Sequence, residues 1–414
     1  MNGYALVILA ALLADFALST LSRLLNLKRL QDSLPTDFEG VYDARSYERS
    51  QAYTRANTRL ALILSSFNLA IILLFWFAGG FNALDQVIRG WGWGPLCTGL
   101  VYIAVLGLAK AILSLPFSFY DTFILEARFG FNQTTLRTFV LDLLKSLLLA
   151  VIIGGPLLAG ILAFFQYSGK WAWLICWATS ILFALFIQYI APVWIMPLFN
   201  KFSPLPEGDL RQQILAYAAK IRFPLQGVYV MDGSKRSTKS NAFFTGFGRN
   251  KRITLFDTLV ARHTTAELLA VLAHEMGHYK LKHILKGLVI SILHTGILFL
   301  LLSIFLRHQG LFAAFYMQDS SIYAGLLFFA MLYAPVELIL GPLFHWISRR
   351  HEYQADRYVI QTLGDGRAMI SALKKLALNN LTQLTPHPLH VFLHYSHPPV
   401  LERIAALKSK LDLP

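Results

Sequence analysis

Apolar residues dominate this chain in long unbroken stretches, and the places where that pattern fails are as informative as the stretches themselves. Runs of about 20 residues, long enough to cross a bilayer as helices, recur near 3–22, 60–80, 97–118, 141–166, 172–196, 285–306 and 322–345. They predict seven membrane spans and an all-α integral membrane protein. In 227–231 and 241–256 the period shortens to two, with Val228-Tyr229-Val230, Ala242-Phe243-Phe244 and Ile253-Thr254-Leu255. That alternation predicts a small hairpin or sheet turning at 246–250, with an exposed edge able to take a substrate as an added strand. Two amphipathic helices complete the picture. One follows the capping box of Thr264 and Glu267 and carries the stripe Leu268, Leu269, Val271, Leu272; the other spans 346–363 and is ended by Gly364.

Composition agrees with a bilayer as solvent. The 414 residues are 56% hydrophobic and 14% charged, with a mean hydropathy of +0.52, which excludes an ordinary soluble domain. The first run has no basic segment before it, and Arg23, Lys28 and Arg29 follow it, so it is expected to stay as a span with its N-terminus outside rather than serve as a signal peptide. In that orientation the outer segments hold only Arg89, Lys170 and Arg307. The net charge of +14 and the pI near 9.7 then belong to cytoplasmic loops facing anionic lipid, and no nucleic-acid partner is expected. Asp15, Lys110, Gln188, His294 and Glu337 fall inside the spans, where charge is costly unless it faces water or a partner, so they predict a hydrated interior. The two cysteines, Cys97 and Cys176, lie in apolar stretches, are expected to be packing residues, and leave a metal to nitrogen and oxygen ligands.

Residues 274–278 read HEMGH. On a helix His274 and His278 lie one turn apart on one face, spaced to share a Zn²⁺, and Glu275 sits beside them as a general base. A catalytic site needs a third protein ligand. The metzincin arrangement would place glycine and histidine where this chain has Leu281 and Ile284, and His283 is rotated off the ligand face. Glu352 and Asp356 re-emerge, after two spans, on the side where His278 left. They share one helix face, so that one carboxylate can bind the metal while the other orients a ligand histidine.

HEMGH, the downstream SRRHEYQAD, the segment SKRSTKSNAFFTGFGRNKRITLFDTL at 234–259 and YSHPPVLERI at 395–404 together resemble the type I CaaX prenyl protease family. These are seven-span, zinc-dependent membrane endopeptidases that process a-factor precursors and prelamin A. The motifs are dense in 234–283 and 346–404. The resemblance implies seven helices enclosing a chamber, a gluzincin-type site with one Zn²⁺ per chain bound by His274, His278 and Glu352, and Glu275 as the catalytic acid/base. Asp356 is left as the orienting carboxylate. It also implies that Asn241, with Ala242 and Phe243 after it, and His397 lie at the substrate, His397 as an oxyanion donor, and that Arg403 supports the substrate site.

Asn241 and His274 are only 33 positions apart, and KSKLDLP at the C-terminus carries no retention signal, so the chain resembles a compact bacterial member. The organisation expected is 1–199 as spans one to five, 200–283 as a catalytic region, 284–345 as spans six and seven, and 346–414 as a second catalytic region. A monomer in the bacterial inner membrane is expected, or in the endoplasmic reticulum membrane if the source is eukaryotic, with the active site facing the cytoplasm. Its substrate would be a peptide or protein, prenylated or otherwise membrane-associated, cleaved near its C-terminus. A membrane-protein quality-control protease is the alternative within the same chemistry. A transporter or receptor with a structural metal is the alternative outside it.

Overall fold

A computed structural model describes residues 1–31, 33–245 and 251–411. Among the described residues seven helices are long and apolar enough to cross a membrane: Gly3–Lys28, Ala44–Phe77, Pro95–Glu126, Leu136–Tyr167, Gly169–Leu198, His283–Phe305 and Ile322–Leu363. Each expected span is present, and several run on well beyond their apolar core. The second starts early because Asp43 caps it, its Oδ1 accepting from the Ser46 amide at 2.6 Å.

The largest departure is the seventh span. The helix expected separately at 346–363 is its direct continuation, a single rod of 42 residues that passes through Pro335 and Pro342 and ends where Gly364 takes φ 80°. Proline removes one backbone hydrogen bond without ending a helix whose neighbours hold it in place. The HEMGH helix, Thr265–Lys280, is separated from span six by Leu281 and by Lys282, which adopts φ 59°, so the chain changes direction between chemistry and membrane.

A four-stranded sheet lies beside the HEMGH helix: β1 Phe202–Pro204, β2 Leu225–Met231, β3 Ala242–Thr245 and β4 Lys251–Phe256, in the order β1-β2-β4-β3. The expected antiparallel partners are β3 and β4, with Phe243 opposite Thr254; their turn at 246–250 lies outside the described residues. β2 instead runs parallel to β4, and β1 adds an antiparallel strand that three residues of sequence did not announce.

The apolar core is divided between the two ends of the bundle. One cluster packs Ile253, Leu255, Leu268, Leu272 and Met276 around the sheet and the HEMGH helix. The other joins Ile8, Trp76, Phe81, Tyr102, Phe315 and Phe328 at the opposite ends of the spans. Between them no more than 22% of the most apolar stretch of any span is buried within the protein. Asp15 and Lys110 line one cavity of about 590 Å³ there, Lys110 donating to Asn68, while His294 meets Glu337 at 3.1 Å. Cys176 is buried as expected; Cys97 is exposed in the first turn of its helix and is not a packing residue.

The capping box at the start of the HEMGH helix is fully formed. Thr264 Oγ1 accepts from the Glu267 amide at 3.3 Å, and Glu267 Oε2 accepts from the Thr264 amide at 2.8 Å. Burial pushes the Glu267 carboxyl up, but Lys375 at 2.8 Å, Ser371 at 2.6 Å and the Thr264 amide outweigh it and hold it at about 2 against an ordinary 4.5. The unfolded chain therefore takes up this proton at higher pH than the folded one. The stabilisation is complete above pH 4.5 and is lost as pH falls toward 2. Glu267→Gln is expected to lower the melting temperature at pH 7, with the gap to the parent closing over that acid interval in thermal unfolding curves.

Candidate active site

The HEMGH helix and the C-terminal part of the 42-residue helix pack closely enough to share one site. Gly277 sets the approach: a Cβ there would stand 3.1 Å from Tyr358 Cδ1, so the small residue of the pentapeptide is where the two helices touch. Across that contact the Nε2 atoms of His274 and His278 lie 3.1 Å apart, and each is 3.3 Å from a Glu352 carboxylate oxygen. Ligands about 2.0–2.1 Å from a tetrahedral cation stand about 3.3 Å from one another. The three residues expected as ligands thus fit one small cation, with a fourth position left over.

Hydrogen bonds behind the ligands decide which nitrogen faces it. His274 Nδ1 lies 2.9 Å from Asp356 Oδ1, and His278 Nδ1 lies 3.1 Å from His283 Nδ1, whose Nε2 reaches Gln354 Oε1 at 2.8 Å. With carboxylate and amide oxygens as final acceptors, protons are assigned to His274 Nδ1, His278 Nδ1 and His283 Nε2. Both ligand histidines then present an Nε2 lone pair inward. His283 is also stacked on His351, with ring centroids 4.0 Å apart.

The electrostatics ask for positive charge. Burial pushes His274 down, but Asp356 and Glu352 outweigh it and raise it to about 9, so a proton does there what a cation would do. Glu352 Oε2 is buried and makes no hydrogen bond, and its neighbours are His274 Nε2 at 3.3 Å and Arg403 Nη1 at 3.5 Å.

The remaining expected residues divide into those facing outward and those behind. Glu275 is half-buried one position round the helix from His274, and its carboxylate makes no hydrogen bond or ion pair among the described residues. His397, with a side chain 64% exposed, places Nε2 3.4 Å from Glu352 Oε1 and rests Nδ1 on Ser396 Oγ at 3.0 Å. The prolines after His397 start the helix Val400–Lys408, which returns Arg403 to the site. Arg403 is 9% exposed and sits behind the ligands, forking onto Asp356 at 2.7 and 2.8 Å, with Nη1 3.5 Å from Glu352. Its contacts are with Asp356 and Glu352, behind the outward-facing Glu275 and His397.

Asn241 is exposed at the start of β3, its Oδ1 accepting from the Ala242 amide at 2.8 Å and its carbonyl accepting from Phe256 at 3.0 Å. β3 pairs with β4 through Ala242 and Phe243, and its other edge has no partner among the described residues. Several partners that the sequence did not single out fix this strand. Ser240 and Asn380 exchange hydrogen bonds at 3.0 and 3.2 Å, Lys239 reaches Tyr53 and Glu126 at 2.7 and 3.0 Å, and Arg236 forks onto Asp142. No periodicity connects such residues; only the basic run in 234–240 hinted at an anchor.

His283→Ala keeps every expected ligand yet removes the acceptor that orients His278. It is expected to weaken metal binding by about 10–100-fold in a chelator competition titration, the usual cost of losing such support; parental affinity would show that His283 does not orient the site.

Known families match nearly the whole chain. Residues 23–201 match the family described as CAAX prenyl protease N-terminal, five membrane helices, and residues 204–411 match Peptidase family M48. The chain is 34% identical over 393 residues to the CAAX prenyl protease 1 homolog of Oryza sativa subsp. japonica, covering 91% of this chain and 90% of that protein. It is 35% identical over 412 residues to CAAX prenyl protease 1 of Saccharomyces cerevisiae, covering 92% and 89%. The crystal structure of S. mikatae Ste24p superposes with a TM-score of 0.91 at 34% identity, covering 98% of this chain and 99% of that one.

Proposed function

Because the chain belongs to the M48 peptidases, in the CAAX prenyl protease family, and is therefore a membrane metalloendopeptidase, we propose that His274, His278 and Glu352 bind one Zn²⁺ and that Glu275 is the proton carrier for peptide hydrolysis. The observation that carries this reading is the convergence of two Nε2 atoms and one carboxylate within ligand distance of each other. The alternative of a transporter or receptor holding a structural metal gives way to the peptidase family. Zinc, when bound, supplies a Lewis acid that polarises a scissile carbonyl and acidifies water.

The other steps belong to side chains and backbone of this protein. The open edge of β3 pairs with the substrate main chain as an added strand, and the Asn241 amide, offering donor and acceptor together, holds the peptide at its start. Glu275, whose carboxylate makes no hydrogen bond among the described residues, takes a proton from the attacking water and delivers it to the leaving amine. His397 donates to the oxygen on which negative charge develops. Asp356 holds His274 in the orientation that exposes Nε2, and Arg403 fixes Asp356 from behind.

The relatives are named CAAX prenyl proteases, and we extend that to this chain: it cleaves near the C-terminus of a prenylated or other membrane-associated peptide, as a monomer with its site on the cytoplasmic face. We place it in the bacterial inner membrane, or in the endoplasmic reticulum if the source is eukaryotic. The distribution of basic residues supports the orientation. Purified protein offered a farnesylated and an unfarnesylated version of one C-terminal peptide, with products read by mass, tests the substrate: faster cleavage of the farnesylated form is expected, and equal rates would favour the quality-control role.

Glu275→Gln is expected to keep its zinc and its peptide affinity while kcat falls by at least about 10²–10⁴, the range for a lost general acid/base. Metal analysis and turnover on the same preparation check both halves, and turnover within tenfold of the parent would remove Glu275 from the mechanism. His397→Ala should lower kcat by about 10²–10³ at constant zinc, as loss of an oxyanion donor does. Asn241→Ala should instead raise KM more than it lowers kcat, since a backbone clamp acts in ground and transition states alike. Parental kinetics in both variants would leave those segments as structural elements.

A further inference from the structure

A cavity of about 870 Å³ opens between the inner ends of spans five and six, beside β3 and the end of the HEMGH helix. Its walls are largely apolar, with Pro192 and Met196 from span five and Ile284, Leu285 and Leu288 from span six. Ile284 and Leu285 are 43% and 54% exposed, a surface suited to hydrocarbon. All the ionisable carbon-chain groups on the lining are basic: Lys251, Lys280 and Lys282.

Lys251 is the unusual member. It is only 3% exposed, yet its ammonium makes no ion pair or hydrogen bond among the described residues. What it meets are ring faces, with Nζ 3.3 Å from the Tyr279 centroid and 5.6 Å from that of Phe223. The adjoining residues 246–250, Gly-Phe-Gly-Arg-Asn, contain no carboxylate that could answer it. Aromatic faces do not neutralise that charge, and Lys251 lines the cavity, so an anion placed there would supply the counter-charge. Lys280 is partly committed, donating to the Arg222 carbonyl at 3.1 Å, whereas Lys282 is exposed at the turn into span six.

We infer that this cavity binds one anionic glycerophospholipid, its phosphate held by Lys251 and Lys282 and an acyl chain lying along Ile284, Leu285 and Leu288. The combination of a deep cationic group, a cationic rim and an apolar wall at the ends of two membrane helices matches a charged headgroup joined to hydrocarbon. A neutral lipid would leave Lys251 unanswered, and a soluble anion would leave the wall unused. The site lies one helical turn beyond Glu275, since Tyr279 lines it, so the bound lipid would border the catalytic cleft.

The test uses the full-length zinc-loaded protein, delipidated in detergent and offered equal amounts of dioleoyl phosphatidylglycerol and dioleoyl phosphatidylcholine, with retained lipid counted by native mass spectrometry. At least a tenfold preference for phosphatidylglycerol is expected. Lys251→Met, which keeps the side-chain bulk, and Lys282→Asn, which tolerates the left-handed backbone, should each reduce it below threefold. Zinc content and melting temperature show that the variants are folded, and Lys282→Asn keeps the test decisive if Lys251→Met is not. Equal retention of the two lipids, or an unchanged preference in the folded variants, overturns the inference. So does displacement of the lipid by millimolar inorganic phosphate, which would mark a free-anion site, or by a farnesylated peptide, which would make the cavity a substrate subsite.

Discussion

His274 and Glu352 are 78 residues apart in the chain and 3.3 Å apart in space, and the membrane lies between them twice. Every other element of the molecule is arranged around that meeting. Spans six and seven must return the chain to the side it left, the rod that ends at Gly364 must rotate Glu352 and Asp356 toward the HEMGH helix, and Gly277 must stay small enough for the helices to touch. The apolar cluster around Leu272 and Met276 then holds the contact from the protein side, while the bilayer holds it from the other.

The site has an ionic foundation as well as an apolar one. Arg403 and Asp356 form a buried forked pair, and burying such a pair contributes little net stability by itself. Its value is directional. Asp356 can point one oxygen at His274 only because Arg403 holds the carboxylate in place, and removal of either partner would leave an uncompensated charge at a cost of about 3–5 kcal/mol. His283 and Gln354 do the same for His278 without any charge. The two histidines of the pentapeptide are therefore braced by opposite strategies, one ionic and one neutral.

What the sequence revealed follows the range of the forces involved. Seven spans and the HEMGH helix are visible because bilayer thickness and helical period write themselves into consecutive residues. Glu352 is visible only once the spans are counted, since its partner histidines lie two crossings away. The continuous helix through Pro335 and Pro342 was hidden by its change from apolar to charged composition, which imitates a boundary. The parallel pairing of β2 with β4 was hidden because alternation reports faces and not neighbours. Asn380 against Ser240 and Gln354 against His283 are single contacts between distant positions, with no pattern to betray them.

The 42-residue rod also carries a mechanical consequence. Its N-terminal end is Ile322, and Glu352 lies thirty residues along it, about 45 Å away at 1.5 Å per residue. A lever of that length converts a tilt of about one degree at the Ile322 end into a displacement of about 0.8 Å at Glu352, larger than the ~0.2 Å latitude of a metal–ligand bond. Pro335 and Pro342, where the backbone lacks a hydrogen bond, are the joints at which such a tilt can be absorbed. Bilayer thickness, which sets the tilt of any spanning helix, therefore reaches Glu352 only as far as those joints let it pass.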